Sequence, residues 1–139
     1  MNTTYDCDLF AWSQEQSDML KSRQFEKLDL EHLIDEVLSL GNSQRNKLES
    51  HLAIWLMHEL KIMYQPEKHT RSWDLSIKNA QFQYFRCLKQ NPSLKSLLPE
   101  ILQDAYEMAR WRALDETQLF EDDIPLECIF EIEKIQEMK

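Results

Sequence analysis

The chain has 139 residues, 16 Lys+Arg against 25 Asp+Glu, a formal charge of -9, and one glycine beside four prolines. So little glycine excludes both glycine-rich phosphate loops and leaves too few turn residues for an all-β sandwich or barrel. No apolar run approaches the ~18 residues of a membrane-spanning helix, and 42% apolar residues with four Trp, six Phe and four Tyr can fill one core.

Asp8 reads as the N-cap of a first helix over Phe10 to Ser22, with Lys21 and Arg23 near its C-terminus, where cations suit the helix dipole. Phe25 and Leu28 follow in a short connection and are expected to plug the bundle end. Asp29 opens a second helix whose apolar stripe runs Leu30, Leu33, Ile34, Val37, Leu40, then Leu48, Leu52, Trp55, Ile62 and Met63. Between Leu40 and Leu48 there is no large apolar residue. The helix either stops at Gly41 and restarts from Asn42 or Ser43, or runs on for roughly 35 residues. The stripe keeps phase through Val37, Gly41, Gln44 and Leu48, which favours continuity.

Pro66 ends this element, because an interior proline costs ~3 kcal/mol. A polar loop over 65–72 leads to Ser72, the expected N-cap of a third helix with the stripe Trp73, Ile77, Ala80, Tyr84 and Leu88. Asn91-Pro92 closes it, and Pro99 suits the first turn of a fourth helix carrying Leu102, Ala105, Ala109 and Ala113. From Asp115 the chain is acidic and less regular, and Cys128 to Met138 is expected to form a last short helix. These elements predict an all-α, antiparallel helical bundle of about four main helices with a short C-terminal extension. The expected organisation is a single helical domain, 1–139, with the bundle over 1–114 and an acidic segment over 115–139. A second helix longer than the first overhangs its neighbours, and an apolar overhang is most simply covered by another subunit.

Charge is not spread evenly. Residues 1–44 hold nine acids and three bases, residues 45–95 hold four acids and nine bases, and residues 115–139 hold nine acids and two bases. Acidic flanks thus surround a basic middle that also contains His51, His58 and His69. Flanks and middle can neutralise each other, or the middle can offer a pocket to an anion. The net negative charge argues against duplex nucleic acid. Cys7, Cys87 and Cys128 are too far apart and odd in number for a disulfide framework or a zinc knuckle, and read as free thiols of a reducing cytoplasm. The segment Met1 to Phe10 has neither the basic start nor the apolar stretch of a signal peptide.

The order of several motifs resembles a known family. They are Phe10-Ala-Trp12-x-x-Glu15-Gln16, Leu28-Asp-Leu30-x-x-Leu33-Ile34-x-Glu36, Leu40-Gly41, Leu56-Met-His58-x-Leu60-Lys61, Tyr64-Gln-Pro-Glu67, Arg71-Ser-Trp73, Pro92-Ser-Leu94, Ala105-Tyr106-x-x-Ala109 and Glu116-Thr117. Together they resemble the domain of unknown function 29 family, abundant in cyanobacteria, over nearly the whole chain. The resemblance implies a helical bundle and a bacterial cytoplasmic protein, and implies no reaction. It departs at Cys128-Ile129, where the family tends to carry Cys-Pro.

Candidate chemistry gathers near the end of the second helix. Lys61, His69, Arg71 and Arg86 are the anion-binding candidates; Arg71 and the free N–H groups near Ser72 suit an anion. The competing structural roles are Lys61 complementing its helix C-terminus and Arg71 pairing with Glu36 or another acid. His58 and Glu36 are the acid–base candidates. No Glu-x-x-His pair of a di-iron bundle occurs; Asp29-x-x-His32 occurs once, with Asp29 more simply an N-cap, so neither metal nor cofactor is expected. Cys87 reads as a small core residue. Trp12, Trp55 and Trp73 read as core, and Trp111, between Arg110 and Arg112, as the most exposed of the four.

Three readings result. The first is an oligomeric interaction or scaffold protein without catalysis, a homodimer or larger, open also to another protein partner and not to a membrane. The second is a small regulatory module binding an anion or nucleotide through the basic pocket. The third is an enzyme using His58 and Glu36.

Overall fold

A computed structural model describes residues 4–138, which are all-α with no strand among them. The helices are α1 (Thr4–Cys7), α2 (Leu9–Lys21), α3 (Leu30–Tyr64), α4 (Arg71–Gln90), α5 (Leu98–Glu116) and α6 (Ile132–Glu137). None among the described residues is long and apolar enough to cross a membrane.

Asp8 caps α2 as expected, its Oδ1 accepting from the Ala11 N–H at 2.9 Å. The helix closes with the Arg23 and Gln24 N–H groups on the Leu20 and Met19 carbonyls. That closure needs a left-handed residue, and Arg23 supplies it at φ 58. Helix α3 runs unbroken for 35 residues through Gly41, as the stripe phase implied. The start of α4 differs from expectation. Thr70, not Ser72, is the N-cap, with φ -126 and ψ 162 and its Oγ1 accepting from the Trp73 N–H. Both residue types cap well, and the β-branched Thr70 takes the extended backbone that follows the Pro66–Lys68 turn. Asn91 ends α4, its side-chain amide bonding back to the Cys87 carbonyl at 3.0 Å. Helix α6 begins at Ile132, later than the expected Cys128.

The chain divides into two compact units, Met1–Asn42 and Ser43–Lys139. The first has a polar centre. Asp29 accepts the Trp12 indole N–H at 3.0 Å and the His32 Nδ1–H at 2.7 Å, while its own N–H donates to Gln16 Oε1 at 2.8 Å. The Tyr5 hydroxyl donates to Glu36 at 2.6 Å, and the Tyr5 ring stacks on His32 with centroids 3.9 Å apart. Trp12 and Gln16 are buried. Phe25 does not plug an end: it is 53% exposed on the Phe25–Lys27 turn, and Leu28 after it is half-buried.

The second unit has an apolar centre. Leu48, Leu52, Trp55, Leu56 and Leu60 of α3 meet Ile77, Ala80, Tyr84 and Leu88 of α4 and Ile101, Leu102, Ala105 and Ala109 of α5 in one cluster. Trp55 meets Tyr84 edge-on with centroids 5.7 Å apart. The acidic C-terminal segment is tied to this core. Ile124 and Ile135 are buried, Tyr106 donates its hydroxyl to the Pro125 carbonyl, and buried Arg110 donates to the Ile124 carbonyl at 3.0 Å and the Glu121 carbonyl at 2.6 Å. The Tyr84 hydroxyl is buried with no hydrogen-bond partner among the described residues, and burial pushes its pKa up to about 12.

Candidate functional site

Each residue singled out from the sequence has a defined place. Lys61 is buried. Its Nζ lies 2.8 Å from Glu116 Oε2 and 4.6 Å from the centre of the Trp73 ring, so this cation joins α3 to the ends of α4 and α5. His58 is buried, with Nδ1–H donating to the Ile54 carbonyl at 2.9 Å. His69 Nε2 lies 2.6 Å from Asp74 Oδ1, and its ring stacks on Trp73. Arg71 is exposed at the start of α4. Arg86 is exposed on the outer face of α4. Glu36 takes the Tyr5 phenol in the first unit. Trp111 is exposed and its neighbour Arg110 sits over its ring. Among the described residues, no three His, Cys, Asp or Glu side chains gather as a metal cluster.

The first unit presents a surface that its polar centre explains. Asp29, just before α3, and His32 and Glu36 of α3 lie on one side and hold α1 and α2. At about 100° per residue, Leu30, Ile34, Val37, Leu38 and Gly41 lie on the opposite side. Leu30, Ile34, Val37 and Leu38 are 58–64% exposed. An added Cβ at Gly41 would meet nothing within 4 Å. The helix thus spends its polar side on its own unit and leaves its apolar stripe open, the reverse of an ordinary amphipathic helix.

Electrostatics reinforce the polar centre. The Asp29 hydrogen bond pushes His32 above its usual value, with the nearby Glu31 and Asp6 adding to the shift. The His32 and Trp12 donors hold Asp29 below the usual carboxylate range. Hydrogen bonding to Glu36 raises Tyr5 to about 12.

The second unit carries a groove of about 970 Å³ along α4. Lys78, Arg86, Lys89 and Lys95 line it without an acid, and Phe82, Phe85 and Leu88 give it an apolar floor. Of its aromatics, Phe82 is 63% exposed. A smaller pocket of about 320 Å³ holds Lys47, His51, Arg86 and Cys87. Burial raises the Cys87 thiol, which keeps it protonated, and burial with Lys47 lowers His51.

Of the basic residues around the larger groove, the sequence alone marks only Arg86 as an anion-binding candidate. The signal was present: Lys78, Phe82, Phe85 or Arg86, and Lys89 recur at three- and four-residue steps, a second stripe on α4 beside the buried one.

The model of the family described as Domain of unknown function DUF29 matches residues 4–139. No curated protein and no solved structure matches the chain.

Proposed function

We propose that this chain, which belongs to the family described as Domain of unknown function DUF29, acts by assembly. On this reading it is an oligomeric interaction or scaffold protein whose copies meet through the apolar stripe of α3. The observation that carries the reading is the open stripe itself. Leu30, Ile34, Val37 and Leu38 form one contiguous exposed apolar face on a helix whose other side is already occupied. Fully burying a side chain of this kind contributes about 1.5–3 kcal/mol, so four left open are a large unused driving force. Gly41 supports the same reading. A mid-helix glycine costs ~1 kcal/mol relative to alanine, and here it continues the stripe with open space above it, where another backbone can approach closely.

The same reading places the protein in a bacterial cytoplasm, supported by three free cysteines, one of them exposed. Light scattering across submicromolar to high-micromolar concentration tests the assembly. The wild-type chain is expected as a dimer or larger, and Ile34→Glu as a monomer of unchanged helicity. A wild-type chain that stays monomeric throughout overturns the reading.

A further inference from the structure

We propose that the apolar stripe of α3 in one copy docks in the basic groove of α4 in a second copy. This rests on the reading that copies associate through α3 and names the surface that receives it. The groove is a site for an acidic, amphipathic helix. Its floor of Phe82, Phe85 and Leu88 is apolar, while Lys78, Arg86, Lys89 and Lys95 stand around it. None of these four has an ion-pair partner among the described residues, whereas Arg45 and Lys61 of the same unit do.

The stripe has the complementary chemistry. Glu31 and Asp35 are exposed one helical turn apart beside Ile34 and Leu38, and residues 1–44 carry nine acids against three bases. The charges on both sides recur at about one helical turn. At 1.5 Å per residue Glu31 and Asp35 are about 6 Å apart along α3, and Arg86 and Lys89 about 4.5 Å apart along α4. A helix laid in an apolar groove is read through anchors three and four residues apart, the pattern of Leu30, Ile34, Val37 and Leu38.

Two alternatives fit less well. Pairing the stripe with itself sets acid-flanked faces against each other, and like charges across an interface are costly. A small phosphate would use the lysines and leave the apolar floor uncovered. A stripe-to-groove contact joins different patches, so it closes into a ring or continues as a chain of copies.

The test is charge reversal in the full chain, with helicity checked for each variant. Lys78→Glu/Lys89→Glu alters only exposed groove residues, and Glu31→Lys/Asp35→Lys only exposed residues beside the stripe. Each variant alone is expected to associate at least about tenfold more weakly than wild type, and an equimolar mixture of the two to recover association. Added salt should weaken the wild-type contact. Groove reversal that leaves association unchanged, or a mixture that recovers nothing, overturns the proposal. Both results leave self-association through α3 standing, because that reading fails separately, through an Ile34→Glu chain that assembles like wild type.

Discussion

The two units of this chain solve the problem of burial in opposite ways. The second collects leucines, aromatics and a row of alanines into an apolar centre and fastens its edges with Lys61–Glu116 and with Arg110 on the Glu121 and Ile124 carbonyls. The first gathers half-buried Asp29, His32 and Glu36 around buried Gln16, and among its described residues Trp12 is the one large hydrophobe that is buried. Apolar burial is the main favourable term in folding. A unit that turns its leucines outward therefore has little of its own to hold it, and much to offer a partner.

The sharpest test of that contrast is one tryptophan from each unit. Trp55→Ala should cost about 3–5 kcal/mol in urea unfolding, because it opens a cavity against Tyr84 and Phe85. Trp12→Ala should leave the main transition in place and loosen only the first unit, seen as faster amide exchange before the core unfolds. Equal losses from both would erase the distinction.

Glu116→Gln probes the ties of the second unit. It leaves Lys61 buried without its counter-charge while Trp73 still covers it, and about 2 kcal/mol of stability should go. Tyr84→Phe works in the other direction. Its hydroxyl is buried with no partner among the described residues, so removing it should be neutral or stabilise by up to ~1 kcal/mol in the same measurement.

The first unit should respond to pH through the two titrating groups of its polar centre, His32 and Asp29. His32 is raised, so its contribution is complete below pH about 6.5 and is lost as pH rises through the higher folded-state value. Asp29 is lowered, so its contribution is present above pH about 4 and is lost as pH falls through the lower folded-state value. The polar centre is therefore firmest at mildly acidic pH. The Trp12 indole N–H resonance should broaden on going to alkaline pH while that of Trp55 stays sharp; parallel behaviour would contradict the separation.

What was legible in the sequence follows the range of the forces involved. Asp8, Pro66 and Asn91-Pro92 mark helix ends through contacts with near neighbours, and those ends came out as read. The unbroken α3 was visible because Gly41 keeps the phase of the stripe. The start of α4 was misplaced because Thr70 and Ser72 carry the same capping chemistry two residues apart, and only the backbone at Thr70 chooses between them. Periodicity marks Leu30, Ile34 and Val37 as one face without saying which chain covers it, and only the length of the helix points to another subunit. Lys61 read as a cation available to an anion because Glu116 returns to it from 55 residues away. Arg110 and Tyr106 hold the acidic C-terminal segment through main-chain carbonyls, which leave no trace in residue types. The groove is hidden in the sequence for a different reason: its stripe lies on the outer side of a helix whose inner side already explains the pattern.

Side-chain footprinting by hydroxyl radicals at low and high protein concentration reads the covered face residue by residue. Leu30, Ile34, Val37 and Leu38 should lose reactivity as concentration rises, while Phe120 and Leu126, exposed in the other unit, keep theirs. Unchanged reactivity of the four α3 side chains across the range would contradict the claim that this face belongs to another copy.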